Sequence, residues 1–205
     1  MSDDVSRWPD DPETATALQA YLSDPDGMFG GNLSDFRGAD LRGLDLSGAE
    51  LIEANFREVS LSGTDLSRVN FRIADLSGAD MTGARLYKTD ADHCVATAVV
   101  LRGAYLFRTS LMHADLRSAD LRRAFLNAVN FAHADLRGAD LRKASVGKGT
   151  PLFFRETQLF GSRLDGAHGP VRGTIDVGSD TPEVLAGNEL TTWLHSQGAE
   201  LTVVP

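Results

Sequence analysis

The chain has 205 residues, 42% of them hydrophobic, with 29 acids, 20 bases, a formal net charge of −9 and one cysteine. That length supports one domain with a sizeable core. The single Cys94 excludes an internal disulfide, and no apolar run approaches the roughly eighteen residues of a membrane span.

The charge is uneven along the chain. Residues 1–34 hold seven acids and one base, residues 35–146 hold fifteen of each, and residues 147–205 hold seven acids and four bases. Acidity therefore belongs to the ends, and no large single-sign field is expected over the middle. The opening "MSDDVSRWPDDPE" is acidic and lacks the apolar stretch of a secretory signal, so a cytoplasmic protein is expected.

Residues 1–30 read as an acidic segment with a short capping helix. Pro12 stands near its start, Glu13 in its first turn, and Leu18, Tyr21 and Leu22 share one side. Pro25 and Gly27 are the expected stop.

Residues 31–146 repeat with a period of five. From Phe36 every fifth residue gives 23 positions without an insertion, and 21 of them are Leu, Phe, Met or Val. The two exceptions are Ala91 and Ala96. Two residues before each of these centres stands a small or modest residue, such as Ala39, Ala49, Thr64 or Cys94. A period of five matches neither helix nor strand. It fits a chain that turns a corner every five residues, with the centre and the residue two before it facing inward. The other three positions face out, and Gly at the last of them suits the corner. Near Ala91 and Ala96 the volume moves to Thr89, Cys94 and Val99, so Cys94 is expected to be buried and inert.

These units resemble the pentapeptide repeat family, roughly A-(D/N)-L-x-x, over residues 35–146. The resemblance implies an all-β solenoid: a right-handed quadrilateral β-helix with twenty residues per coil, closed by short helical caps. It also implies a distant likeness to the gyrase-protecting quinolone-resistance members, which pair through their C-terminal ends.

At "GKGTP", residues 147–151, the register slips by three, which reads as a loop insertion. Residues 152–170 continue the period through Phe154, Leu159 and Leu164 as a final irregular coil. Residues 171–205 read as strand, helix, strand. Asn188 is the expected N-cap of that helix, and Leu190, Trp193 and Leu194 lie on one face. Two readings apply to these three residues. They pack on the last coil as a cap, which solenoids need at their ends, or they form a dimer contact.

No CxxC, HExxH or G-x-S-x-G frame is present, and "GKGT" lacks the leading glycine of a phosphate loop. A non-catalytic protein without a cofactor is expected. The recurring outward Asp residues read as solvated Asp–Arg ladders of modest worth. With coils of twenty residues, His93, His113 and His133 fall into one column. Imidazoles about 4.8 Å apart could share a metal such as Zn²⁺, with Asp90 and Asp92 nearby, but a flat ladder does not converge tetrahedrally. A solvated corner is the favoured reading.

Sorting the outward residues by face brings Tyr87, Tyr105, Phe107 and Phe125 together, rimmed by Arg85, Lys88 and Arg108. Val95 and Val100 also replace outward acids, which makes the middle of the chain an apolar belt. Aromatic residues with arginine are the composition of a partner-binding hot spot. The alternative is a patch covered by the N-terminal segment or by the 147–151 loop. The expected function is a scaffold that binds a protein partner here. The resemblance adds a second reading, a gyrase-binding mimic of duplex DNA, and the neutral body argues against it. The third reading is a metal or enzymatic role of the histidine column. Direct nucleic-acid binding and membrane association are not expected, and a homodimer through the C-terminal cap is the second reading of Leu190, Trp193 and Leu194, after packing on the last coil.

Overall fold

The structure is a computed structural model that describes residues 5–23, 29–147 and 150–204. Pro25, Gly27, Lys148 and Gly149, which figure in the sequence reading, lie outside these residues.

Every fifth residue from Phe36 to Val146 points into one continuous core, and most are fully buried. The residue before each centre forms a parallel bridge to the residue twenty positions on, as in Asp35↔Asn55, Asp40↔Ser60, Asp45↔Asp65 and Glu50↔Asn70. Four bridges per twenty residues give four sides. We call them faces one to four, after the centres Phe36, Leu41, Leu46 and Leu51. Along each face the centre's N–H donates to the next coil, for example Leu46 to the Asp65 carbonyl at 2.9 Å. The corner closes with a bond back to the centre, as from the Ala49 N–H to the Leu46 carbonyl at 3.1 Å. At the corner itself φ is positive, with values such as +77° at Gly48 and +59° at Glu58. Glycine suits that conformation, and other residues hold it only because the surrounding ladder fixes it.

The core also tolerates its two missing leucines. Ala91, Ala96, Thr89, Cys94 and Val99 are all buried. The Thr89 hydroxyl donates to the Leu66 carbonyl at 2.7 Å, so the inward polar group is satisfied. Burial pushes the Cys94 thiol up to about 12, with Asp92 and Asp115 adding to the effect.

The first coil is closed by α1 (Pro12–Ser23). Asp11 caps it by accepting the Thr14 N–H at 2.7 Å, and Pro12 occupies the first helical turn. The Thr14 hydroxyl then accepts the Asp35 N–H at 3.1 Å. The Arg7 carbonyl accepts the Asp40 N–H at 2.8 Å. The open edge of the solenoid is thereby paired. Leu18 is fully buried, and Tyr21 stacks on Phe29 with centroids 5.0 Å apart.

At the other end the coil spacing changes from 20 to 23, seen in Asn130↔Phe153, Asp135↔Gln158 and Asp140↔Arg163. Here β5 (Leu152–Gln158) pairs in parallel with β6 (His168–Asp176), and β6 pairs with β8 (Glu200–Val203). A short β7 (Val184–Leu185) runs antiparallel to β6. The helix α2 (Gly187–Ser196) packs beside them. Its N-cap is Ala186, not Asn188, and no side chain caps it. The chain enters the helix directly from β7, so the turn falls two residues earlier than the Asn signal suggests. Gly198, with φ +70°, follows its end. No described helix is long and apolar enough to cross a membrane.

Candidate partner-binding face

The outward Asp and Asn residues do more than solvate the surface. The Asp45 carboxylate accepts the Ser47 N–H at 2.9 Å, Asp65 accepts that of Ser67 at 3.0 Å, and Asp75 that of Ser77 at 3.0 Å. Asn130 does the same for Ala132 at 3.1 Å. Each such residue supplies an acceptor for a backbone donor that the turn leaves outside the ladder. Where Arg follows two residues on, it closes a second bond. Arg122 Nε donates to Asp120 at 2.8 Å and Arg137 Nε to Asp135 at 2.9 Å. The ladder reading saw the ion pairs and missed the backbone bond, whose signal was the constant Asp/Asn-x-x spacing.

Face three departs from this rule at the lower coils. The position held by Asp45 and Asp65 becomes Arg85, Tyr105 and Phe125, and the position of Ser47 and Ser67 becomes Tyr87, Phe107 and Asn127. In these coils the chain forms regular strands: β1 (Arg85–Tyr87), β2 (Tyr105–Phe107), β3 (Phe125–Asn127) and β4 (Ser145–Val146). They pair in parallel, with Tyr105 opposite Phe125 and Tyr87 opposite Phe107. The Tyr105 and Phe125 rings stack with centroids 4.7 Å apart, and Tyr87 and Phe107 with centroids 5.3 Å apart. Both separations are close to the strand spacing, so the aromatic pairs align with the ladder. Val95 and Val100 also lack the acidic acceptor, yet their turns persist through Val99 N–H to Ala96 O at 3.2 Å and Ala104 N–H to Leu101 O at 3.1 Å. Neither of these turns carries an aromatic side chain. Aromatic residues favour the extended strand, and β2, at the middle of the strand stretch, carries them on both outward rows.

Tyr105 and Phe125 remain 52% and 49% exposed, so no described segment covers them. The N-terminal segment lies against the first coil at Arg37 and Asp40 instead. The Thr150 hydroxyl of the loop bonds to Asn127, at the lower end of the strip. Lys88 Nζ sits 5.2 Å from the Tyr87 ring centre, and the Arg108 guanidinium 5.5 Å from that of Phe107. Arg85 is held by Asp65, with Nη2 to Oδ2 at 3.0 Å. Arg68 shares the corner row of Lys88 and Arg108 and lines a shallow pocket with Asp65 and Tyr87. The twenty-residue spacing marks it as part of this surface, although it was not among the expected site residues.

The structure does not bring all the expected contact residues together. Val95 stands on face one, opposite the aromatics, and Val100 on face two. The belt encircles the prism, and a flat partner on face three reaches neither valine.

The histidine column is present, with His93–His113 and His113–His133 centroids both 4.7 Å apart and rings within 9° of parallel. Parallel stacked rings aim their nitrogens alike and cannot surround one ion. Asp92 is engaged by the Ser110 hydroxyl and by the Met112 N–H at 2.9 Å. No cluster of metal-ligand residues occurs among the described residues. In the C-terminal cap Leu190 and Leu194 are fully buried within the chain, where α2 packs against β8 and β6. Of the three expected contact residues, only the partly buried Trp193 offers surface to a second copy.

A family model described as pentapeptide repeats matches eight copies across residues 34–72, 74–111 and 109–145. The chain belongs to the pentapeptide repeat family, a class of repeat scaffolds. HetL, a pentapeptide repeat protein involved in heterocyst differentiation regulation in a Nostoc cyanobacterium, is 22% identical. That match covers 74% of this chain and 80% of HetL, with a TM-score of 0.46. A trypsin-treated form of QnrB1, a plasmid-mediated fluoroquinolone resistance protein, is 23% identical, covers 86% of this chain and 89% of its own, and has a TM-score of 0.37. A thylakoid-lumen pentapeptide repeat protein of Arabidopsis thaliana is 22% identical, over 78% of this chain and 81% of its own, with a TM-score of 0.23. No curated protein matches the chain.

Proposed function

We propose that this protein is a non-catalytic scaffold that holds a protein partner against face three. The observation that carries this reading is a pair of aromatic stacks, Tyr105–Phe125 exposed and Tyr87–Phe107 half-buried, in rows where the same face otherwise places Asp and Ser. Exposing rings in positions that the repeat fills with polar groups costs solubility and gives nothing to the core beneath, which is already complete. Tyr and Phe flanked by Arg85, Lys88 and Arg108 supply apolar area and a cationic rim. The partner's contacting surface would then be apolar at its centre and acidic at its edge.

The test restores the upper-coil residues. Tyr105→Asp with Phe107→Ser copies Asp45 or Asp65 and Ser47 or Ser67, so the variant is expected to fold, with an unchanged hydrodynamic size and a cooperative melt. Capture of a partner from the source cell should be lost. Capture equal to that of the parent protein would move the site elsewhere.

The topoisomerase reading has less support. A duplex mimic needs uncompensated rows of negative charge. Here Asp35, Asp40, Asp115, Asp120, Asp135 and Asp140 are each paired with an Arg two residues on. Supercoiling by purified gyrase, with and without the protein, separates the two readings.

A further inference from the structure

The repeat body is electrically balanced as a whole, but one of its corners is not. The corner residue after face two is Gly43, Gly63, Gly83 and Gly103 in four successive coils, then Arg123 and Lys143. All six have positive φ, between +59° and +71°. Two long cationic side chains thus replace glycine in the conformation that glycine takes most freely. One residue earlier in the chain, Arg102, Arg122 and Arg142 stack on three coils. These five side chains line a pocket of about 350 Å³, and no acid or aromatic is among them. The volume falls within the range of small-molecule sites.

The arginines are held in place from behind. Asp120 accepts Arg122 Nε at 2.8 Å and Arg102 Nη2 at 2.7 Å, and Asp140 accepts Arg142 Nε at 2.9 Å. A guanidinium carries five donors in a planar fork, so pairing along one edge fixes its plane and leaves other donors for a ligand. Asp120 and Asp140 are in this sense positioning residues. Arg123 and Lys143 make no ion pair among the described residues. Arg163 approaches Asp140 at 3.9 Å, and Asp165 continues the arginine row on the last coil. Six cations therefore face three carboxylates, a local excess of three.

The row is bounded by Thr82 on one side and Asp165 on the other. A basic track this short does not follow a polymer backbone, and the lining contains no ring on which a base could stack. Repeated arginine forks at about the 4.8 Å coil spacing suit successive anionic groups better than one carboxylate. We propose that this corner binds a short phosphate chain, either an inorganic oligophosphate or the phosphate tail of a nucleotide. The site lies beside face three but does not depend on the partner assigned there.

Calorimetric titration of the full chain with inorganic tripolyphosphate at low salt tests this. One-site saturable binding that weakens as salt rises is expected. Arg123→Gly with Lys143→Gly installs the residue of the four preceding coils, so the melting temperature should hold or rise while affinity falls at least tenfold. ATP binding as tightly as tripolyphosphate supports the phosphate chain as the recognised group. ATP binding at least tenfold tighter supports the same site with a nucleotide as its source. No saturable binding, an unaffected double-glycine variant, or orthophosphate binding as tightly as tripolyphosphate would each overturn the proposal. Duplex DNA displacing tripolyphosphate at lower concentration would overturn it in favour of nucleic acid.

Discussion

Face three contains two surfaces built on one core. Its upper coils present Asp45 and Asp65, each closing a turn by accepting the N–H two residues on. Its lower coils present Tyr105 and Phe125, form strands, and have no such acceptor. Leu66 and Leu106 lie buried beneath them alike. The solenoid separates what holds it together from what it shows. The inward rows and the coil-to-coil bonds carry the fold, and an outward row can change from acid to aromatic without disturbing them.

Core truncation should have the largest effect and should not tell the two surfaces apart. Leu66→Ala and Leu106→Ala are each expected to cost about 2–5 kcal/mol in denaturant unfolding, since both empty a fully packed site. A marked difference between them would show that the aromatic strip contributes to the core. Surface truncation should separate the two regions. Asp65→Ala removes the acceptor for Ser67 and the partner of Arg85, with an expected cost of about 1 kcal/mol. Tyr105→Asp adds an acceptor where none exists, so stability should change by less than about 0.5 kcal/mol.

Acid should act on the paired carboxylates. Arg37, Arg117, Arg122 and Arg142, by bonding to Asp35, Asp115, Asp120 and Asp140, hold those carboxyls below the ordinary aspartate range. A carboxyl depressed by folding stabilises the native state above its unfolded pKa, near 3.9. That stabilisation is lost as pH falls through the lower folded value. The contribution of these carboxylates to the melting temperature should therefore be lost below about pH 4, and Asp120→Asn should soften that fall. The smallest effect should be at Cys94. With its thiol pushed up to about 12 and its side chain buried, it should react with a thiol reagent only on unfolding.

The period of five, the inward rows and the three-residue slip were legible because an inward row must keep its spacing for one core to form. The aromatic pairs and the histidine column followed once the resemblance to pentapeptide repeats supplied the twenty-residue coil. The hydrogen bonds by which Asp and Asn close the turns were missed although the recurring Asp and Asn positions mark them, since an outward acid reads equally well as a solvated charge. The change from turn to strand at Tyr105 was hidden too, because it depends on cross-coil stacking in two rows at once. Val95 was counted with the aromatic patch as part of one apolar belt. Ten residues is half a coil, so it faces the opposite way from Tyr105. Asn188 misled as a cap because β7 leads straight into α2 and fixes the entry at Ala186.

The unbroken twenty-residue bridge spacing from Gly30 to the coil of Ser145 gives the molecule a ruler. Removing one full coil of twenty residues between α1 and Arg85 would shorten the prism by about 4.8 Å. Every remaining residue would keep its face and both ends would keep their caps. Distance from the N-terminal cap to the aromatic strip is therefore an adjustable length, set in whole coils and independent of what the strip contacts.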